Sequence, residues 1–191
     1  MIPFFAVFEK RSIRAREIVI ISVMCAFAVV SRSAFYMLPQ FKPMTAIVII
    51  SGAALGAESG FLVGSVSIFA SNIVFGQGPW TPWQMFAMGL IGFLSGIIFG
   101  SGRTGFSRVT LSVYGFFVSV IIYGGIMDPA AMIMSHIEPT IENLRIYYLT
   151  GLPLDTVHGI STFIFLFLGS EAFIKKLERV KLKYGLIDHS Y

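Results

Sequence analysis

Long apolar runs interrupted by short polar breaks organise this chain. Six can be read, at about 18–36, 43–57, 60–75, 79–100, 109–126 and 151–174. Each is predicted to be helical, because a backbone facing lipid finds hydrogen-bond partners only within its own helix. The second and third are short: at 1.5 Å per residue they reach about 24 Å, against a hydrocarbon core of about 30 Å. Ala57, Glu58 and Ser59 read as the tight link between them. Small residues recur at helical spacing, at Gly52 and Gly56, at Gly60, Gly64, Ser67 and Ser71, and at Gly89, Gly92, Gly96 and Gly100. Such stripes let helices approach closely. The expected fold is an all-α integral membrane protein, one compact six-helix transmembrane bundle spanning residues 1–191.

Two breaks are unusual. Phe75 to Met85, FGQGPWTPWQM, holds both tryptophans, two prolines and two glutamines. Gly76, Gly78 and Pro79 end the preceding helix, and Thr81 is expected to cap the next one with Pro82 in its first turn. Trp80, Trp83, Gln84 and Ala87 then fall at i, i+3, i+4 and i+7, on one face. An interfacial aromatic belt explains the indoles alone; Gln77, Gln84 and the paired Gly/Pro breaks turn the reading towards a ligand pocket. The other break, 127–150, is too polar to span and too apolar for a free linker. Asp128 to His136 and Pro139 to Leu149 are expected as two short helices forming a lid, with a decorative helix pair as the plain alternative.

Composition agrees with a membrane protein: 55% hydrophobic, 13% charged, mean hydropathy +0.80. The net charge of +4 is a matter of topology, with anionic lipid and not nucleic acid as the partner. With both termini cytoplasmic, that side collects Lys10, Arg11, Arg14, Arg16, Arg103, Arg108, Lys175, Lys176, Arg179, Lys181 and Lys183, eleven of the fourteen basic residues. Only Arg32, Lys42 and Arg145 remain outside. The Phe75–Met85 break, the 127–150 lid and the link around Lys42 then converge on the extracellular end. The run Ile2–Phe8 is too short to span and is expected to lie on the membrane surface. Cys25, the single cysteine, reads as a packing residue.

Polar groups within the spans are the other candidates. Arg32 sits one turn before Tyr36, either snorkelling to headgroups or meeting a ligand. Asn72 either bridges two helices or contacts a ligand. Asp155 and His158 stand at i and i+3, with Thr162 beyond. An orienting pair, ligand recognition and a metal site compete there, and metal fails for want of ligands beyond His136. No Walker A sequence is present, since SGRTG at 101–105 lacks its lysine and spacing, and there is no HExxH or GxSxG. No catalytic residue is assigned. A hydrolase or transferase using His158 with Asp155 is the competing class, and an assembly protein binding another protein the third.

These features resemble the substrate-binding S components of energy-coupling factor (ECF) vitamin transporters. The resemblance covers nearly the whole chain: its length, six spans, the Lys42-Pro43 lead-in, Ile47-Val48-Ile49-Ile50-Ser51-Gly52, and FGQGPWTPWQM, which is most similar to the cobalamin branch. It implies a vitamin pocket at the outer helix ends of a bacterial cell-membrane protein, and a partner set of one transmembrane scaffold and two ATPases that alone supply energy. It further implies toppling of the loaded subunit in the bilayer and docking through an AxxxA pattern, here Ser22-x-x-x-Ala26. The resulting ligand set is Arg32, Tyr36, Lys42, Asn72, Gln77, Trp80, Trp83, Gln84, Asp155 and His158, with no intrinsic cofactor. The outer side carries three cations against Asp128, Glu138, Glu142 and Asp155, so no basic funnel awaits a polyanion. Cobalamin, rimmed with amides, is the expected ligand; pantothenate, whose carboxylate Arg32 or Lys42 could pair, is the alternative.

Overall fold

The computed structural model describes residues 15–100 and 107–184. The surface run Ile2–Phe8, the basic cluster Lys10, Arg11 and Arg14, and the SGRTG link with Arg103 lie outside them. In chain order the helices are α1 (Ala15–Ala34), α2 (Met44–Leu55), α3 (Ala57–Phe75), α4 (Thr81–Phe99), α5 (Arg108–Val118), a π-helical turn (Ser119–Gly124), α6 (Gly125–Met134) and α7 (Ile141–Tyr184). No strand occurs among the described residues. Five helical stretches are long and apolar enough to cross a membrane: Ala15–Ala34, Ala57–Phe75, Thr81–Phe99, Arg108–Met134 and Ile141–Lys183.

The remaining apolar helix, α2, has 12 residues, about 18 Å against a hydrocarbon core of about 30 Å. Its apolarity has a different cause. Every residue from Met44 to Ala54 is buried, and α1, α3, α4 and α7 all pack around it. It is the axis of the core, so it needs no polar face.

The small-residue stripes set how closely its neighbours approach. A Cβ built at Gly52 or Gly60 would strike the carbonyl oxygen of Gly92, and one at Gly92 would strike that of Gly60. Three backbones thus meet where α2, α3 and α4 cross. Gly64 lies against the Met88 carbonyl and Gly96 against Ala57. The expected link at Ala57–Ser59 is corrected: Gly56 alone turns the chain, at φ 99°, and α3 starts at Ala57. Starting there gives α3 19 residues, so only α2 is short.

The helix bounds expected at 127–150 are also corrected. The segment does not form two separate short helices. It extends the flanking helices instead, α6 continuing the π turn and α7 running unbroken from Ile141 through Pro153. Its polarity led to the expectation of separate helices, and packing compensates at least one proline within it. Pro129 cannot bond the carbonyl of Gly125, and Tyr148 Oη from α7 donates to that carbonyl at 3.1 Å. The hairpin turns at His136, φ 56°, and α7 is capped by Thr140 Oγ1, which accepts from Asn143 N at 3.2 Å.

α1 packs at the periphery through Ile21, Met24, Cys25 and Ala28. Its outward face carries Val19, Val23 and Val30 with both Ser22 and Ala26, all exposed. At the end of the bundle opposite Arg32, Lys181 Nζ donates to Ala54 O at 2.7 Å, satisfying a terminal carbonyl of α2. Lys181→Met should therefore cost about 1.5 to 3 kcal/mol, the worth of one hydrogen bond from a charged group. The measurement is Tm in detergent, and an unchanged Tm would show the contact to be idle.

Candidate functional site

Polar groups concentrate where α1 and α3 end and α2 and α4 begin. Arg32, in the last turn of α1, turns inward: Nη1 donates to Ser71 Oγ and, at 2.8 Å, to Asn72 Oδ1. Snorkelling to headgroups is thereby answered. The Arg32 guanidinium also lies 5.3 Å from the centre of the Phe75 ring, on which Tyr36 stacks at 4.8 Å.

Asn72 is the hub. It is fully buried, accepts from Arg32, and donates Nδ2 to Thr81 Oγ1 at 3.0 Å and to Gln84 Oε1 at 2.9 Å. The helix-bridging reading of this residue holds, since its amide joins α1, α3 and α4. Thr81 does not cap α4 as expected; the N-cap position falls on Trp80, with no side-chain cap. Thr81 Oγ1 instead accepts from Gly78 N at 3.3 Å and from Asn72, tying the Gly-Pro break to α3.

Trp80 has helical dihedrals, and its carbonyl accepts from Gln84 N at 3.0 Å, so the helical spacing of Trp80, Trp83, Gln84 and Ala87 holds. Trp80 and Trp83, at the start of α4, are 40% and 39% exposed, Ala87 further along is fully buried, and the Trp80 ring folds back over Gly78. Gln77 is exposed and donates Nε2 to Phe69 O at 3.1 Å. The indoles and Tyr36, itself 56% exposed, stand at the same end of the bundle as buried Asn72 and half-buried Gln84.

A second polar group adjoins the first. His158 is buried on α7, and its Nε2 lies 2.7 Å from Thr45 Oγ1 at the start of α2, while Nδ1 has no partner among the described residues. Tyr123, in the π turn, meets the imidazole edge-on at 4.8 Å. Thr162 Oγ1 donates to His158 O and accepts from Ser119 Oγ at 3.0 Å. Lys42 enters from the α1–α2 link, which Phe35, Phe41 and Phe165 pin by mutual ring contacts of 5.2 to 6.4 Å. Ser161 Oγ donates to the Lys42 carbonyl at 3.1 Å. Burial, and then the nearby Arg32 charge, hold the Lys42 ammonium below the ordinary lysine range.

The expected Asp155–His158 pair is not formed. Positions three apart on a helix diverge by about 60°, enough here for the two side chains to meet different neighbours. His158 turns to α2, whereas the Asp155 carboxylate lies against Gly124 and that of Asp128 against Gly151. Each glycine stands four residues before one of these aspartates, so the two carboxylates pack reciprocally between α6 and α7. Among the described residues no group of three or more His, Cys, Asp or Glu could hold a metal. Ser71, Thr45 and Tyr123 were missed as site residues. Tyr123 carried a signal, one of two phenols in the apolar span 109–126, while Thr45 and Ser71 looked like ordinary helix-packing residues.

The flank of the bundle offers a contrast. A groove of ≈ 410 Å³ between α1, α2 and α7 is walled by Phe27, Phe35, Ile50, Phe165 and Phe173. Its polar lining side chain, Ser31, spends its hydroxyl on Ala28 O. Nothing there could orient a polar nutrient, so the hydrogen-bonding cluster at the end of the bundle is the candidate site.

The family model for the substrate-specific component of ECF transporters matches residues 16–175. The chain belongs to this family. It is thus a multi-pass membrane subunit that binds the substrate of a transporter, is not an enzyme, and associates with ECF scaffold and ATPase subunits. Membership and the missing His158–Asp155 contact together remove the hydrolase or transferase alternative. No solved structure matches the chain.

Proposed function

We propose that this S component binds cobalamin and related corrinoids for uptake across a bacterial plasma membrane. In this reading it is a six-span bundle with both termini cytoplasmic, served by one scaffold and two ATPases. The observation that carries it is the exposed rings of Tyr36, Trp80 and Trp83 at the end of the bundle where Asn72 bonds Gln84. Exposed flat rings can cover an apolar macrocycle while amides and hydroxyls meet its peripheral amides. The orientation is supported by Lys175, Lys176, Arg179, Lys181 and Lys183 gathering at the far end of α7, away from those rings. Calorimetry with purified protein tests the substrate: cobalamin and cobinamide should both bind, and heat from another vitamin alone would reassign it. Trp80→Ala and Trp83→Ala should each weaken corrinoid binding by about 1 to 3 kcal/mol. Folded variants of undiminished affinity would return the indoles to a membrane belt.

One observation favours a second reading. Neither Arg32 nor Lys42 meets a carboxylate among the described residues. A vitamin with one carboxylate, such as pantothenate, would supply it.

A further inference from the structure

Three nitrogen-bearing groups from three separate elements face this cluster without a counter-ion. Arg32, on α1, bonds only neutral oxygens, those of Ser71 and Asn72. Lys42, on the α1–α2 link, makes no side-chain hydrogen bond among the described residues, and its carbonyl is held by Ser161 Oγ at 3.1 Å, three residues past His158 on α7. His158, on α7, is 5% exposed and its Nδ1 is unpartnered. Thr45 Oγ1 and His158 Nε2 share one hydrogen bond; in the tautomer in which the hydroxyl donates, Nδ1 carries the ring proton and is a free donor. The carboxylates of the same region, Asp155 and Asp128, are turned against Gly124 and Gly151. Two uncompensated cations beside a buried free donor are costly in a membrane protein unless something else supplies the negative charge.

We infer that Arg32, Lys42 and His158 Nδ1 form a monoanion subsite within the proposed substrate seat, taking a single phosphodiester or carboxylate of the substrate. The inference rests on that seat being where substrate binds. The arrangement suits one anionic group and not several, because it combines two cations with one neutral donor. A complete corrinoid carries one phosphodiester in its nucleotide loop, which cobinamide lacks; pantothenate carries one carboxylate, which its alcohol lacks. Both ligand classes therefore present the same chemistry, and matched pairs separate them.

The experiment is calorimetry at low salt on the full chain in lipid nanodiscs, with cobalamin against cobinamide and pantothenate against panthenol. Whichever pair binds, the anionic member should bind about tenfold tighter, a difference worth one decade in Kd. In Lys42→Met, the gap should close to within about threefold. Lys42→Gln is the second variant should the first fail to fold; the backbone carbonyl held by Ser161 is untouched by either. Equal binding of the two members, or a gap that survives both substitutions, overturns the subsite. Binding of the pantothenate pair alone would end the corrinoid assignment and leave the subsite standing. Should neither pair bind, the proposed substrates fail and Tm without added ligand decides. Relief of like-charge repulsion raises Tm in Lys42→Met, whereas an unchanged or lowered Tm overturns the subsite.

Discussion

Gly92→Leu is expected to leave no monodisperse protein after detergent extraction. Any side chain at this position drives into the carbonyl of Gly60, and both residues lie on helices locked around buried α2. Backbone cannot rotate away as a flexible side chain can. Overpacking a well-filled core costs about 1 to 3 kcal/mol and more where nothing can yield, so even Gly92→Ala should lower Tm by many degrees. Gly125→Ala is the control, because a Cβ there meets nothing within 4 Å; alanine in mid-helix should leave Tm unchanged or raise it, by up to about 1 kcal/mol. Similar Tm values for Gly92→Ala and Gly125→Ala would show that the α2–α3–α4 crossing is not the close contact described here.

The largest loss of binding is expected from Asn72→Leu. One amide serves three partners, and leucine strands the Arg32 guanidinium, the Thr81 hydroxyl and the Gln84 carbonyl together. A hydrogen bond to a charged group is worth about 1.5 to 3 kcal/mol, and stranding a buried group costs its full desolvation. Substrate affinity should fall by about a hundredfold, with a lower Tm. Asn72→Asp separates architecture from recognition. Aspartate still accepts from Arg32, the Thr81 hydroxyl can turn to donate to it, and the Gln84 amide can flip to do the same. That variant should fold, with Tm at or above the parent, while an internal counter-ion on Arg32 weakens binding of an anionic ligand. Unchanged affinity in both variants would remove this network from the substrate seat.

The helices were legible because lipid leaves the backbone few choices, and the spacing of Gly60, Gly64, Gly92 and Gly96 announced close packing before any partner was known. The Gly-Pro break at 76–79 and the grouping of Arg32, Asn72 and Gln84 at one end could likewise be read from spans that alternate in direction. Helix ends were harder. Pro129 and Pro153 look like terminators, and the Gly125 carbonyl that Pro129 frees is filled by Tyr148, a residue 23 positions away.

The sequence by itself determined that this is a helical membrane protein of the ECF substrate-specific kind, with its small residues on packing faces and its polar residues at one end. Periodicity and hydropathy are local properties that need no partner to be expressed. Only the tertiary structure decided that Arg32 turns inward to Asn72, that His158 leaves Asp155 for Thr45, and that the helices of 127–150 continue the flanking spans. Each of those outcomes depends on which helix stands opposite, and a period along one helix does not carry that information.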